Sequence, residues 1–463
     1  LLERGNVYFN KGQLNQAIAD YDEVLRINPN YAQAARKRDE AIKKQQEAIR
    51  KQQEAAEQKR RQQEAEARAR QEAIRKQQEA AEQKQKRRQQ EAEARARQVV
   101  QALATMRNHN LPPTVRAEAG RKLAKLGDPR PEVMTVKGMQ FCLVPAGTFW
   151  MGNKVQTKPK PKPKSGWFSF LTGNKQDDQD DQEKQDPNNP PLHQVKIPYS
   201  FWISRYPVTN AQFLEYLKGG GYGYEPDWYE AKIHGYWKNG RVKGYLDRQW
   251  RDRPHDFGAP YNLPNHPVVG VMWYEALAFT RWLTRRWSGS SPARLLTEAE
   301  WEKAARGGIE IPATALICPA TNLAVPAGFA MRPNPLPKRH YPWGNEFDST
   351  YANSEESGIG KINAVGCFVK GQSPYGCEEM SGNVWEWLQS QYKEYPYRPN
   401  NRRENLAVDA TRVLRGGSHY TTTTSVRCFH RRWDLPDLGY LSWGFRVFRR
   451  NKLRPMATMI SDL

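Results

Sequence analysis

The 463-residue sequence predicts a helical N-terminal part followed by a globular part in which short strands and helices are mixed. Three observations carry that division. Residues 37–104 contain neither Gly nor Pro and are built from Gln, Glu, Ala, Arg and Lys, all good helix formers. All fifteen tryptophans and all five cysteines lie after residue 140. In that aromatic region, strand-like runs and amphipathic periods follow one another between Gly- and Pro-bearing turns.

Residues 1–36 place Gly5, Tyr8, Gly12, Ala17, Tyr21, Leu25 and Pro29 where two helices of a hairpin need small and aromatic residues to pack closely. The pattern resembles one tetratricopeptide repeat. A single repeat does not bury its own face, so further repeats and upstream domains of a parent chain are expected partners. The chain begins at Leu1 inside a helical pattern and reads as a fragment of something longer.

Residues 37–104 follow as a charged repetitive helix. The stretch QEAIRKQQEAAEQKRRQQEAEARAR at 46–70 recurs at 71–97 with Gln85 and Lys86 added. Glu47 with Lys51, Glu57 with Arg61, Glu64 with Arg68, Glu66 with Arg70 and Glu72 with Lys76 have the spacing of stabilising ion pairs. The apolar residues are almost all Ala, so a strong Leu/Ile seam is absent. A solvated spacer helix and a weak coiled coil, with self-association through 37–104, both fit. The net charge of +22 and pI of about 9.7 raise nucleic acid as a partner. Acidic residues alternate with the basic ones along this helix, which dilutes the field and leaves nucleic acid unfavoured. No run is apolar enough to span a membrane. Five cysteines without a CxxC spacing argue against a disulfide framework or a zinc site, and a reducing, cytoplasmic setting is expected.

Residues 105–133 form a joint with a short helix between Pro113 and Gly127. The globular domain runs over 134–450, with a Lys/Pro- and Asp/Gln-rich insertion at 154–191 expected to be a disordered loop, and 451–463 is a tail. Inside the domain, Met139–Phe141 and Val144–Gly152 give a strand, a turn and a strand. Ser200–Asn210 is a strand ending at a helix cap, Thr209 or Asn210, before AQFLEYL. Pro267–Val271 leads into the amphipathic helix WYEALAFTRWLTRR. Thr297 and Glu300 form a capping box for a helix that stops at Gly307-Gly308. Tyr341-Pro342-Trp343-Gly344-Asn345, Ser381-Gly382-Asn383-Val384-Trp385-Glu386-Trp387, Arg415-Gly416-Gly417-Ser418 and Gly444-Phe445-Arg446-Val447 complete the series. The last reads as a turn feeding a final strand, and the stretch between the last two is aperiodic.

In this order the signatures resemble the formylglycine-generating-enzyme-type, or sulfatase-modifying-factor, domain, a variant of the C-type lectin fold. The resemblance covers roughly 134–449 and implies an α+β fold. It also implies an enzymatic test. Catalytic members carry two cysteines five apart between the RGGS and GFR signatures, a soft pair suited to copper(I). The matching positions here are Thr421 and Val426, and Cys428 stands alone in the segment. Oxidase activity and copper are therefore not favoured, a formylglycine-generating oxidase or other enzyme of this family stays as an alternative, and no catalytic residue is assigned. Iron-dependent sulfoxide synthases with this domain add a His-bearing helical bundle, and the helix at 37–104 has no His.

A second branch of the family, the variable proteins of diversity-generating retroelements, fits better. Their hypervariable codons do not encode Lys, Glu, Gln, Met or Trp. Residues 419–443 lack four of these five, with only Trp433 and Trp443 outside the rule. On this reading the segment displays a ligand-binding surface for a protein or other macromolecule. The aromatic, Arg and Leu contributors are His419, Tyr420, His430, Arg432, Trp433, Leu435, Leu438, Tyr440, Leu441 and Trp443. The adaptable polar ones are Thr421, Thr422, Ser425, Asp434 and Ser442. A structural scaffold or regulatory domain of a larger signalling protein is the other non-catalytic alternative. The resemblance finally implies calcium, with Glu379, Gly382, Val384 and Glu386 at one site and Asn353 and Ser354 at a second.

Overall fold

The computed structural model describes residues 1–153, 190–287 and 292–450. The proposed disordered insertion falls almost wholly outside those residues, and so does the tail. The chain divides into two compact units, Leu1–Ala94 and Arg95–Leu463.

In the first unit, α1 (Leu2–Asn10) and α2 (Leu14–Ile27) pack as the expected hairpin. Gly5 is required there. A Cβ on it would meet the Tyr21 ring at 2.8 Å. Phe9, Ala17, Tyr21 and Ala41 form the small core. Helix α3 (Ala32–Arg107) starts five residues earlier and ends three residues later than the sequence pattern indicates. Every residue from 46 to 98 is exposed. Three of the five expected ion pairs form, Glu47–Lys51, Glu57–Arg61 and Glu72–Lys76. Glu64 instead faces Arg60 at 3.7 Å.

In the second unit, the end of α3 and α4 (Pro113–Leu126) are part of the globular body rather than a free joint. Ala102, Met106, Ala119 and Leu123 pack with Ala364, Cys367 and Phe368. Arg116, fully buried, donates to the carbonyls of Cys367 and Thr350. The short α5 (Pro131–Met134) is tied to α6 (Asn210–Lys218) through the Thr209 hydroxyl, which donates to the Val133 carbonyl. Thr209 is the helix cap, with Gln212 closing the capping box. A minor helix, α7 (Tyr229–Ile233), precedes α8 (Trp273–Arg286), which buries ten of its fourteen residues. Helix α9 (Glu298–Arg306) carries the predicted Thr297/Glu300 box and ends at Gly307.

The strands are short. In chain order they are β1 (Gln140–Val144), β2 (Gly147–Met151), β3 (His193–Ile197), β4 (Phe201–Ser204), β5 (Trp237–Lys238), β6 (Arg241–Val242), β7 (Ala293–Arg294), β8 (Glu310–Pro312), β9 (Ile317–Pro319), β10 (Met331–Pro333), β11 (Trp385–Gln391), β12 (Arg412–Arg415), β13 (Arg431–Asp434), β14 (Trp443–Phe445) and β15 (Phe448–Arg450). One sheet has the order β7-β15-β4-β1-β9, and a second has β13-β12-β11-β14. Strands β11 and β14 run parallel, with Trp385 opposite Trp443 and Glu386 opposite Gly444. Gly444 and Phe445 thus belong to a strand, not to a turn, and only Arg446 and Val447 separate them from β15. The mixture of helices and small sheets is the expected α+β class.

Candidate functional site

The segment between the RGGS and GFR signatures starts at the end of β12, where Arg415 is buried against Glu302 and Glu298. Gly416 and Gly417 then take φ of 98° and 74°, a left-handed backbone that glycine adopts without strain. A Cβ on Gly417 would lie 2.7 Å from Val426 Cγ1 and 2.9 Å from Thr421 Oγ1. The two positions at which the resemblance places copper cysteines therefore meet around one glycine. Neither presents a thiol. The Thr421 hydroxyl accepts from the Ser418 amide at 2.8 Å and donates to its carbonyl at 3.0 Å, closing the turn on itself. The Val426 isopropyl is fully buried. Cys428 is buried as well, and desolvation pushes its thiol up to about 12, so it is protonated at neutral pH.

Beyond the turn, the Thr423 amide donates to Glu356 at 2.6 Å, and the Glu355 amide donates to the Thr421 carbonyl. The chain then enters β13, an edge strand. Arg431 points inward and donates twice to Glu298, both at 2.8 Å. Arg432 and Trp433 face solvent. Tyr420, Trp433, Leu435 and Tyr440 are 47, 48, 44 and 41% exposed. Thr422 is also exposed, and Thr421, Ser425, His430, Asp434 and Leu441 are half-buried.

Four of the expected ligand-binding residues are buried instead. Trp443 sits in β14 with its ring 5.1 Å from Trp387 and 4.4 Å from Tyr440. Ser442 gives its carbonyl to the Trp385 amide. Leu438 joins the main hydrophobic core. His419 is packed between Tyr261 and Tyr420, and burial lowers its pKa. These residues are frame rather than display.

The sequence reading missed a neighbouring aromatic loop. Tyr245 is 79% exposed, and its amide donates to Asp437 at 2.7 Å, which fixes the loop beside the segment. Leu246 and Trp250 are exposed on the same loop. The cluster Tyr245, Leu246, Trp250 was a visible signal, because apolar residues in GYLDRQW have no helical or strand period.

The oxygens expected to hold calcium make bonds within the protein. Both Glu386 oxygens accept from Arg446 Nε, at 2.8 and 2.9 Å, and one also accepts from Trp301 Nε1 at 2.7 Å. The Arg446 guanidinium further donates to the carbonyls of Glu378 and Glu379. Arg446 thus supplies a positive charge among these oxygens. The Glu379 side chain accepts from the Gly366 amide and the Asn383 amide group, and burial beside Glu378 pushes its pKa up to about 8. Gly382 and Asn353 lie side by side, with their carbonyls accepting from the amides of Val384 and Asn383. The Ser354 hydroxyl donates to Glu356. In this structure Glu379, Gly382, Glu386, Asn353 and Ser354 therefore each carry a bond to another group of the protein.

Residues 127–451 match the sulfatase-modifying factor enzyme 1-like domain. The chain belongs to that family. Residues 1–31 match a tetratricopeptide repeat. Among relatives, the chain is 31% identical over 275 residues to the hercynine oxygenase of Mycolicibacterium smegmatis, covering 56% of this chain and 55% of that one. It is 29% identical over 301 residues to the serine/threonine-protein kinase pkn1 of Chlamydia caviae, covering 63% and 39%. It is 29% identical over 298 residues to the formylglycine-generating enzyme of Streptomyces coelicolor, covering 55% and 80%. The chain spans about half, or less, of the length of the first two. Among solved structures, PvdO from Pseudomonas aeruginosa is similar at 21% identity and a TM-score of 0.40, covering 67% of this chain and 94% of that one. Treponema denticola variable protein 1 is similar at 16% identity and a TM-score of 0.38, covering 68% and 95%. Among the described residues, no helix is long and apolar enough to cross a membrane.

Proposed function

We propose that this chain is a non-catalytic recognition protein whose domain displays the exposed part of 419–443 to a protein ligand, on the pattern of a retroelement-diversified variable protein. The observation that carries this reading is the pair Thr421 and Val426. They meet around Gly417, where a dithiolate would have to form, and offer a locally bonded hydroxyl and an isopropyl group. The same segment turns outward Tyr420, Arg432, Trp433, Leu435 and Tyr440. Large, stiff, amphipathic side chains of this kind provide contact area at modest entropic cost. The absence of Lys, Glu, Gln and Met from 419–443 supports diversification at the codon level. A near-copy of the codons for 415–447, differing at adenines and lying beside the gene, is the expected companion.

The test compares immobilised wild-type chain with a variant in which Tyr420, Arg432, Trp433 and Tyr440 are all alanine. Proteins retained from a lysate are identified by mass spectrometry, and the leading one is purified for direct binding. The reading expects retention by the wild type, loss in the quadruple variant, and retention by a control altered at Tyr224, Tyr229 and Ile233. Equal binding by the quadruple variant places the ligand elsewhere.

A further inference from the structure

A cleft of about 550 Å³ opens between residues 392 and 401, lined by Tyr392, Lys393, Glu394, Tyr395, Arg398 and Asn401. Its backing is unusually cationic. The Arg431 guanidinium lies 4.0 Å from the Tyr392 ring centre and 4.3 Å from that of Tyr395, and it donates to the Lys393 carbonyl at 3.0 Å. Arg403 donates to the Glu394 carbonyl at 2.9 Å and to Asn401 Oδ1 at 3.1 Å. Two buried guanidinium groups are therefore bonded directly to the residues of the cleft wall. They share one carboxylate, Glu298, which Arg415 also approaches at 3.7 Å. Arg403 Nη1 is buried and has no hydrogen-bond partner among the described residues.

The cleft adds two cations of its own. The Lys393 ammonium donates to the Asn401 carbonyl at 2.8 Å, and neither it nor Arg398 is paired with a carboxylate among the described residues. Among the described residues, the ion pairs of Arg403 and Arg431 both go to Glu298, and Lys393 and Arg398 form none. In a partly desolvated wall such an excess attracts an anion. The wall also carries the rings of Tyr392 and Tyr395, and Trp433 lies beside Tyr392 just outside it. The Tyr392 ring lies 6.1 Å from that of Trp433, which is half exposed. A volume of this size suits a small molecule rather than an ion alone.

We propose that this cleft binds a small aryl anion: a planar ring carrying a phosphate, sulfate or carboxylate group. The ring lies against Tyr392 and Trp433, and the anionic group meets Lys393 and Arg398. The site shares Trp433 with the display surface but does not depend on that surface binding a protein. If the display reading is right, the same cleft receives an anionic aromatic side chain of the ligand, such as a phosphotyrosine.

The experiment is calorimetric titration of the full chain with phenyl phosphate, phenyl sulfate and benzoate, with phenol as the neutral control. At least one anion is expected to bind saturably, to weaken as sodium chloride is raised, and to bind more tightly than phenol. Lys393→Ala with Arg398→Ala should weaken that binding by about tenfold or more. Tyr420→Ala, which alters the display surface alone, should leave it unchanged. Arg398→Glu gives the same readout should the double variant melt early. The proposal is overturned if no anion saturates, if phenol binds as tightly as the anions, or if the charge variants bind as the wild type does. Protein capture that survives the quadruple variant, beside saturable anion binding by the wild type, means that the display reading alone fails. Capture lost in that variant, beside no saturable anion binding by the wild type, means that this proposal alone fails.

Discussion

Gly417 shows how much one residue fixes. Its φ of 74° and its contacts with Val426 and Thr421 leave no room for a side chain. Gly417→Ala should destabilise the domain by about 1–3 kcal/mol, read from denaturant unfolding. The same geometry makes a constructive prediction. Thr421→Cys combined with Val426→Cys places two sulfurs around one point, so the double variant should bind one copper(I) ion while the wild type binds none there. Stoichiometric metal analysis under reducing conditions checks this, and no gain of copper would mean that the two positions do not face each other. At this scale the sequence was informative about what is missing, because an absent thiol needs no coordinates. It was silent about the pairing of Glu386. A carboxylate in a SGNVWEW motif carries no mark of Arg446, which reaches it from sixty residues away.

Elements differ in how legible they were. Helices α6, α8 and α9 were readable to within a residue because caps and periodic apolar positions are local signals. Strand β13 was not. It is four residues long at a sheet edge, with Arg431 inward and both Arg432 and Trp433 outward, so it never alternates. Both β13 and β14 are edges of this sheet, and what separates their tryptophans is packing: Trp433 is half exposed, while Trp443 lies against Trp387 in the main core. Burial of the charged network beneath β12 and β13 also came from packing alone. Glu298 holds Arg431 and is approached by Arg403 and Arg415. Glu298→Gln should cost about 3–5 kcal/mol, because it leaves the buried Arg431 and Arg403 without their carboxylate, while Arg415 keeps Glu302.

A pH effect belongs to the segment before α8. His266 is fully buried, and its Nδ1 bonds Asn265 while Nε2 has no partner among the described residues. Desolvation, with the cations Arg121 and Arg130, lowers its pKa to about 3. The unfolded value is about 6.5. A depressed folded value means that the contribution of this residue is present in full above pH ~6.5 and is lost as pH falls towards about 3. Acid unfolding of His266→Gln should therefore be less steep than that of the wild type across this window. Parallel curves would contradict the burial of a neutral ring.

For the molecule as a whole, the division into an exposed charged helix and an aromatic-rich domain followed from composition. The order of seven signatures gave the family. What the sequence withheld was which side chains of 419–443 are frame and which are display, because that depends on pairing between β11 and β14. Since Tyr420, Arg432, Trp433 and Tyr440 are exposed, the quadruple alanine variant should melt within about 0.5 kcal/mol per site of the wild type. A chelator should leave the melting transition unmoved, since Arg446 occupies the oxygens expected for calcium. A fall in melting temperature that added calcium restores would contradict that assignment.

The central claim, that the region between the RGGS and GFR signatures has lost its chemistry and kept its surface, has a direct test. The purified chain is incubated with copper, oxygen and a Cys-x-Pro-x-Arg peptide, and the peptide mass is followed beside a Cys428→Ala control. The account predicts an unchanged cysteine in both. Formylglycine appearing above the control would contradict it.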